Sequence, residues 1–334
     1  MQLHLDSYGA RLRVKDGVLQ VHYAEEGVVK QQYFAASEVD TIFMRKGTSV
    51  STDAILLAME HGVSLLITDG YGFPVGRFAP HTPTSTSQIQ KAQALLSIQP
   101  RGLEYARGWI LEKLAQQEIF LQQLLKYRPT AEQLRWQPKL LQMSNIREKL
   151  SKVPASAASF RGLEGSAGRI FYYTLGQLLP DRYRFIRRSR RPAQDVFNAF
   201  LNYAYALLYV RVEEALLEAG LNPHLGFMHR NDYQYKSLVY DFIEPFRMET
   251  MQVVYALFSR KKISGQHFDT DDYGGVWLNA NGKRLLLPDL RDTYEEKRTR
   301  RDHLQMTATQ HIRRRASHLA QGMLQEMEMA GLAA

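Results

Sequence analysis

Two segments about sixty residues apart hold the residue types needed for metal-assisted chemistry. The first is Arg161-Gly-Leu-Glu164-Gly-Ser-Ala-Gly-Arg169. The second runs Gly226-Phe-Met-His229, then Lys236-Ser-Leu-Val-Tyr-Asp241-Phe-Ile-Glu244-Pro-Phe-Arg247. Together they supply two or three carboxylates and one imidazole, set among arginines. Carboxylate oxygens suit hard divalent cations such as Mg²⁺ and Mn²⁺, and an imidazole moves the preference toward Mn²⁺. A metal beside arginines is what chemistry on a phosphodiester needs: charge neutralisation and an activated oxygen nucleophile.

Each residue also has an ordinary structural reading. Glu164 is expected near the start of a helix, where the helix dipole favours an acid in any case. Its neighbours Gly165, Ala167 and Gly168 are small and allow close approach. His229 follows Pro223 and Gly226, so it sits in a loop, where a lone histidine is usually a surface residue; nearby His224 is read as ordinary. Asp241 and Glu244 are three apart and share one helical face. Pro245 should kink the helix or restart it.

The densest basic run is Asp181-Arg-Tyr-Arg-Phe-Ile-Arg-Arg-Ser-Arg-Arg191-Pro192, with six arginines. Arginine forks match phosphate geometry, and Tyr183 and Phe185 are placed to stack on exposed bases. A solvated loop is the alternative, but so many like charges repel one another and favour a phosphate partner. The candidate DNA-binding cations are Arg184, Arg187, Arg188, Arg190 and Arg191, with Arg247 just beyond Asp241 and Glu244.

These motifs resemble a known family, the CRISPR-associated endonuclease and integrase called Cas-one. Its pattern is a Glu-Gly-x-Ala-x-Arg helix, Arg-Pro-x-x-x-x-x-Asn, Gly-Phe-x-His, and Ser-Leu-x-x-Asp-x-x-Glu-Pro-Phe-Arg. The four pieces occur here in order, as Glu164–Arg169, Arg191–Asn198, Gly226–His229 and Ser237–Arg247. Where the family often has Tyr seven residues after the first Glu, this chain has Phe171. The resemblance implies a metal-dependent DNA integrase and nuclease of CRISPR adaptation. Glu164, His229 and Glu244 would hold Mg²⁺ or Mn²⁺, and Asp241 would lie close to the site as a further catalytic residue. It also implies a homodimer formed through β domains, a small partner called Cas-two, and double-stranded DNA as prespacer and CRISPR repeat. The 3′-hydroxyl of a short duplex would attack a phosphodiester at the edge of the repeat. The competing readings are a non-catalytic DNA-binding scaffold of the same fold, or an integrase serving a mobile element.

The rest of the chain must position these residues. It has 334 residues and 45% apolar content, enough for two domains with cores. Cysteine is absent, which removes disulfides and every Cys-based zinc or redox motif. The opening Met1-Gln-Leu-His-Leu-Asp lacks the layout of a signal peptide. The longest apolar stretch, 197–210, is short for a bilayer and interrupted by Asn202. A soluble cytoplasmic protein with no membrane partner is expected. Net charge is +9 and lopsided: residues 1–80 hold 7 basic against 9 acidic residues, and the remainder 36 against 25. A basic second part fits a polyanionic partner or ordinary solubility equally well.

The fold expected is α+β: an N-terminal β-sandwich over 1–80, a linker over 81–90, and a mainly α-helical catalytic domain over 91–334. Ala10-Arg-Leu-Arg-Val14 alternates as a half-buried strand, Asp16-Gly17 turns, and Val18–Tyr23 returns. Ser51 or Thr52 caps a short helix, and Val63–Thr68 is a buried strand. Pro80–Ser87 has linker composition. Apolar residues at 110, 111, 114, 120, 121, 124 and 125 then follow a helical period. Further helices are expected at 164–178, 193–220, 236–258 and 303–330. A hairpin is expected over 276–287, turning at Asn281-Gly282.

Overall fold

A computed structural model describes residues 2–25, 28–39, 41–69, 74–78, 86–154, 156–229, 235–301 and 303–329. The chain divides into two compact units, 1–83 and 84–334.

The first unit contains β1 (Gln2–Leu5), β2 (Arg11–Lys15), β3 (Val18–Glu25), β4 (Val28–Phe34), β5 (Thr41–Arg45), β6 (Ser49–Val50), α1 (Thr52–Glu60), β7 (Ser64–Thr68) and β8 (Pro74–Phe78). They build two four-stranded sheets, ordered β1-β5-β7-β8 and β4-β3-β2-β6. The β2–β3 hairpin turns at Asp16 and Gly17, both with positive φ, the backbone of a turn whose twist matches antiparallel strands. Leu12 points into the core while Arg11 and Arg13 face out, the alternation a one-sided strand needs. Leu5, Leu12, Leu19, Ile42 and Leu65 from both sheets, with Ala54 and Ala58 of α1, share one core. Ser51 caps α1 by accepting from the Ala54 N–H.

The second unit is mainly helical: α2 (Thr86–Ser97), α3 (Pro100–Lys126), α4 (Thr130–Lys152), α5 (Ala157–Leu178), α6 (Val196–Glu218), α7 (Ser237–Phe242), α8 (Arg247–Ser259), α9 (Ala280–Arg291) and α10 (Ala308–Met329). Two short antiparallel pairs complete it, β9 (Phe268–Thr270) with β10 (Val276–Leu278), and β11 (Thr299–Arg301) with β12 (Leu304–Met306). Helix α6 is buried nearly all round, which its apolar composition requires of a central helix. Among its neighbours are α7, α8 and α10. Helix α3 packs against α4 and α5 and against the turn at 244–246.

Several expectations are corrected. Helix α2 starts at Thr86, inside the segment read as linker; residues 79–85 lie outside the described set. Residues 280–291 form α9, so Asn281-Gly282 is no hairpin turn. Asn279 caps that helix by accepting from the Gly282 N–H, and β10 pairs backward with β9. The expected 236–258 helix is broken: α7 stops at Phe242, a single tight turn spans Glu244–Phe246, and α8 starts at Arg247. Pro245 lacks the N–H that a continuous helix would use. Helix α5 begins at Ala157, capped by Ser156, which places Glu164 two turns inside rather than near the start.

Candidate active site

Glu164 on α5 and Glu244 after α7 are brought together by a residue outside every motif. Lys113, on α3, places its Nζ 2.5 Å from Glu164 Oε1 and 2.5 Å from Glu244 Oε2. The Lys113 and Glu244 side chains are 7% and 4% exposed, whereas Glu164 is 23% exposed and opens toward solvent. Glu244 Oε2 is buried, with the Lys113 ammonium as its ion-pair partner. Its other oxygen, Oε1, accepts from Arg247 Nε at 2.8 Å, and Arg247 also donates to the Tyr209 hydroxyl at 2.8 Å. Burial works to raise the Glu244 pKa, but the Arg247 guanidinium and Lys113 ammonium outweigh it and hold it down at about 2. Burial likewise opposes the charge on Lys113, and Glu244 with Glu164 reverses that effect, so its pKa is raised. Beside Glu164, a Cβ built on Gly165 or Gly168 would meet nothing within 4 Å, so this face of α5 is open.

His229 stands at the end of a loop held from two sides. Asp241, fully buried, accepts from the backbone N–H groups of Phe227 (2.6 Å), Met228 (2.9 Å) and His229 (3.1 Å). The same carboxylate meets His229 Nδ1 at 2.5 Å. An ionised carboxylate only accepts, so Nδ1 carries the proton and Nε2 is the ring nitrogen left for a ligand. Arg161 of α5 donates to the Met228 carbonyl at 2.5 Å, tying the loop to the helix that bears Glu164. Phe227 packs on Tyr105 and Trp109 of α3, and Trp109 meets Phe242 edge-on at 5.2 Å. Gly226 is required here: a Cβ would lie 2.7 Å from both Asp241 Oδ2 and the Ser237 backbone.

The arginine run divides into two populations. Arg184, Arg187, Arg190 and Arg191 are exposed, as is Arg182. Arg188 turns inward, donates to Asn198 Oδ1 at 2.9 Å, and lies over the rings of Tyr172 and Tyr205. Burial lowers its pKa. Arg247 is half-buried, over the rings of Tyr205 and Tyr209. Tyr209, Arg247, Tyr205, Arg188 and Tyr172 thus form a continuous cation–aromatic ladder from Glu244 to the arginine loop. Arg188 and Arg247, both expected to bind DNA, thus have their guanidinium groups engaged inside the protein. The base-stacking roles expected of Tyr183 and Phe185 are corrected: both are buried, Tyr183 edge-on to Phe258 and Phe185 stacked on Phe197. Asn198 donates to the Arg187 carbonyl and Asn202 to the Arg190 carbonyl, so these two side chains hold the loop in shape.

The donor set suits a divalent cation in part. Two carboxylates already bracket one positive charge, and one of their oxygens is buried against it. Yet among the described residues no three His, Asp or Glu side chains converge as a metal-binding group. Lys113 occupies the gap between the two glutamates, and Asp241 is saturated by the loop. Lys113 is the functional candidate that sequence reasoning missed; Arg161, quoted in the first segment, was given no role of its own. Lys113 had a signal: it falls on the buried stripe of α3 with Trp109, Ile110 and Leu114, where an unpaired lysine is untenable.

A family model for CRISPR associated protein Cas1 matches residues 3–292. The chain is 30% identical over 332 residues to the CRISPR-associated endonuclease Cas1 2 of Saccharolobus solfataricus, covering 98% of this chain and 96% of that protein. A casposase bound to integration product shares the fold with a TM-score of 0.85 at 22% identity, covering 97% of this chain and 91% of that one. A chain of a Cas6-RT-Cas1–Cas2 complex does so at 0.78 and 21%, covering 98% of this chain and 35% of that one. An N-terminal pair of sheets followed by a helical unit is the architecture these share. The chain belongs to the Cas1 family. No helix among the described residues is long and apolar enough to cross a membrane.

Proposed function

We propose that this protein is a metal-dependent DNA endonuclease and integrase of CRISPR spacer acquisition, joining the 3′-hydroxyl of a short duplex to the CRISPR repeat. The observation that carries the reading is the pair Glu164 and Glu244, which bracket one cation position reached from the partly exposed Glu164 side. Glu164, Glu244 and His229 Nε2 would hold Mg²⁺ or Mn²⁺. Bound there, the metal supplies charge neutralisation on the scissile phosphate and activation of the attacking hydroxyl. Arg247 fixes the rotamer of Glu244 and keeps it ionised. Asp241 fixes the loop and the His229 tautomer. Exposed Arg184, Arg187, Arg190 and Arg191 offer guanidinium forks to DNA phosphates. Chemical catalysis by this set is positioning and electrostatics, as phosphodiester exchange demands.

The partners follow from the same reading. Solved relatives include a casposase with an integration product and an assembly with Cas2, which supports double-stranded DNA and Cas2 as partners here. A homodimer would form through the first unit, whose strand β4 exposes Val28, Val29 and Tyr33 at a sheet edge.

Integration of labelled duplex into a supercoiled plasmid bearing the adjacent repeat array tests the reading. Product should appear with Mn²⁺, vanish with EDTA, and vanish with Glu244→Ala while DNA binding survives. Binding without processing under every metal condition would instead establish a scaffold. Integration without preference for the repeat would point to a mobile-element enzyme.

A further inference from the structure

We infer that Lys113 is a built-in counter-cation: it closes the space between Glu164 and Glu244 in the metal-free protein and has to leave when a divalent cation enters. The inference rests on the metal-site reading above and adds its regulation.

Geometry carries it. The ammonium is 2.5 Å from an oxygen of each glutamate, and it is the only positive group shared by both among the described ion pairs. A Mg²⁺ or Mn²⁺ ion needs those oxygens at about 2.0–2.2 Å and tolerates little misplacement. An ion bound to both oxygens would need space that the ammonium now crowds. The two occupants exclude one another by volume as well as by charge.

Charge balance points the same way. Lys113, Arg247, Glu164 and Glu244 form a neutral quartet. Exchange of the ammonium for a divalent ion leaves the cluster one charge positive, suited to a phosphodiester. Addition without exchange leaves it two positive beside a buried ammonium, which a dry site penalises. Arg247 is not the group that moves, because it is locked by Glu244 Oε1, the Tyr209 hydroxyl and two aromatic rings. Lys113 has a flexible four-carbon stem and a compact head, the side chain suited to withdrawing. Metal-free protein thereby keeps its two site carboxylates apart from stray cations and in fixed rotamers, while metal affinity is set by a competition inside the chain.

The test compares Mn²⁺ binding to the full chain, without DNA, in wild type and Lys113→Met, by the loss of the free-ion paramagnetic resonance signal. Metal-free K113M should melt below wild type, because two carboxylates lose their counter-charge. Its Mn²⁺ affinity should be higher by about tenfold or more, with a correspondingly larger rise in Tm on Mn²⁺ addition. Equal or weaker Mn²⁺ binding by K113M overturns the exchange and leaves the metal reading intact. Absence of Mn²⁺ binding in both proteins overturns both. Should K113M not fold, Lys113→Gln serves the same comparison. A wild-type measurement stands beside it: Lys113 should be protected from amine acetylation in EDTA and modified faster with Mn²⁺, as read by peptide mass spectrometry. Unchanged protection would likewise overturn the exchange.

Discussion

Replacing Asp241 with Asn separates a group that builds the site from a group that reacts in it. Asp241 gathers four contacts, three from consecutive backbone N–H groups and one from His229 Nδ1. An amide supplies one acceptor oxygen and one NH₂ group. In one orientation the NH₂ faces the Phe227 and Met228 donors; in the other it faces the two His229 donors. Either way two buried donors lose their acceptor and meet another donor. A stranded buried polar group costs about 1–3 kcal/mol, and the remaining contacts lose the extra strength of a charged acceptor. A loss of about 3 kcal/mol follows. For a unit of the size of 84–334, that is a fall in Tm of roughly 6–12 °C. Activity should fall about 10–100-fold, the range seen when groups that orient a metal ligand are changed. Calorimetry and the plasmid assay check both numbers. If D241N melts with wild type yet is inactive, Asp241 acts on substrate or metal itself, and the loop-holding argument is refuted.

The arginine loop gives a paired test: Arg187→Ala and Arg190→Ala should each flatten the salt dependence of DNA binding by about 0.9 per lost phosphate contact, with Tm unchanged. Arg188→Ala should instead lower Tm, because it removes a buried guanidinium from Tyr172, Tyr205 and Asn198; a pure salt-slope effect would place Arg188 at the surface. Glu244 predicts a pH dependence. Its pKa is depressed from 4.5 to about 2, so its contribution, on the order of 3 kcal/mol, is fully present above pH 4.5 and lost as pH falls toward 2. Urea midpoints of wild type should therefore drop more steeply across that window than those of Glu244→Gln, and parallel curves would contradict the charge cluster. Gly226→Ala should unfold the His229 loop or abolish activity, since its methyl has no space beside Asp241 and Ser237. Val29→Lys in the full chain should shift light scattering from dimer to monomer if the β4 edge is the dimer face.

What the sequence revealed and what it concealed divide along a physical line. Periodicity reports which way a side chain faces when its element packs on one side, so Leu12 and Ile110 were legible, as was the Asp16-Gly17 turn. Asn279 capping α9 was not legible, because an Asn-Gly pair three residues past a strand serves a hairpin and a helix start equally well. Charge was the weakest guide. Six arginines in one run read as one surface, yet Arg188 descends between two tyrosines that come from α5 and α6. Local sequence contains no record of that descent; only the tertiary meeting of Tyr172 with Tyr205, hydroxyl to hydroxyl, creates the slot. The same holds for the site. Glu164, His229, Asp241 and Glu244 were legible as a set, but their division of labour was not. Three N–H groups converge on Asp241 because the Gly226 loop wraps the start of α7, which makes it a builder of the loop. Glu244, one turn later, opens the tight turn just before Pro245 and meets Lys113 of α3. A lysine on the buried stripe of α3 should have prompted a search for its acids, since burial of an ammonium demands compensation. Two glutamates fifty-one and one hundred and thirty-one residues downstream answer that demand, and both are the residues for which the motifs had reserved a metal.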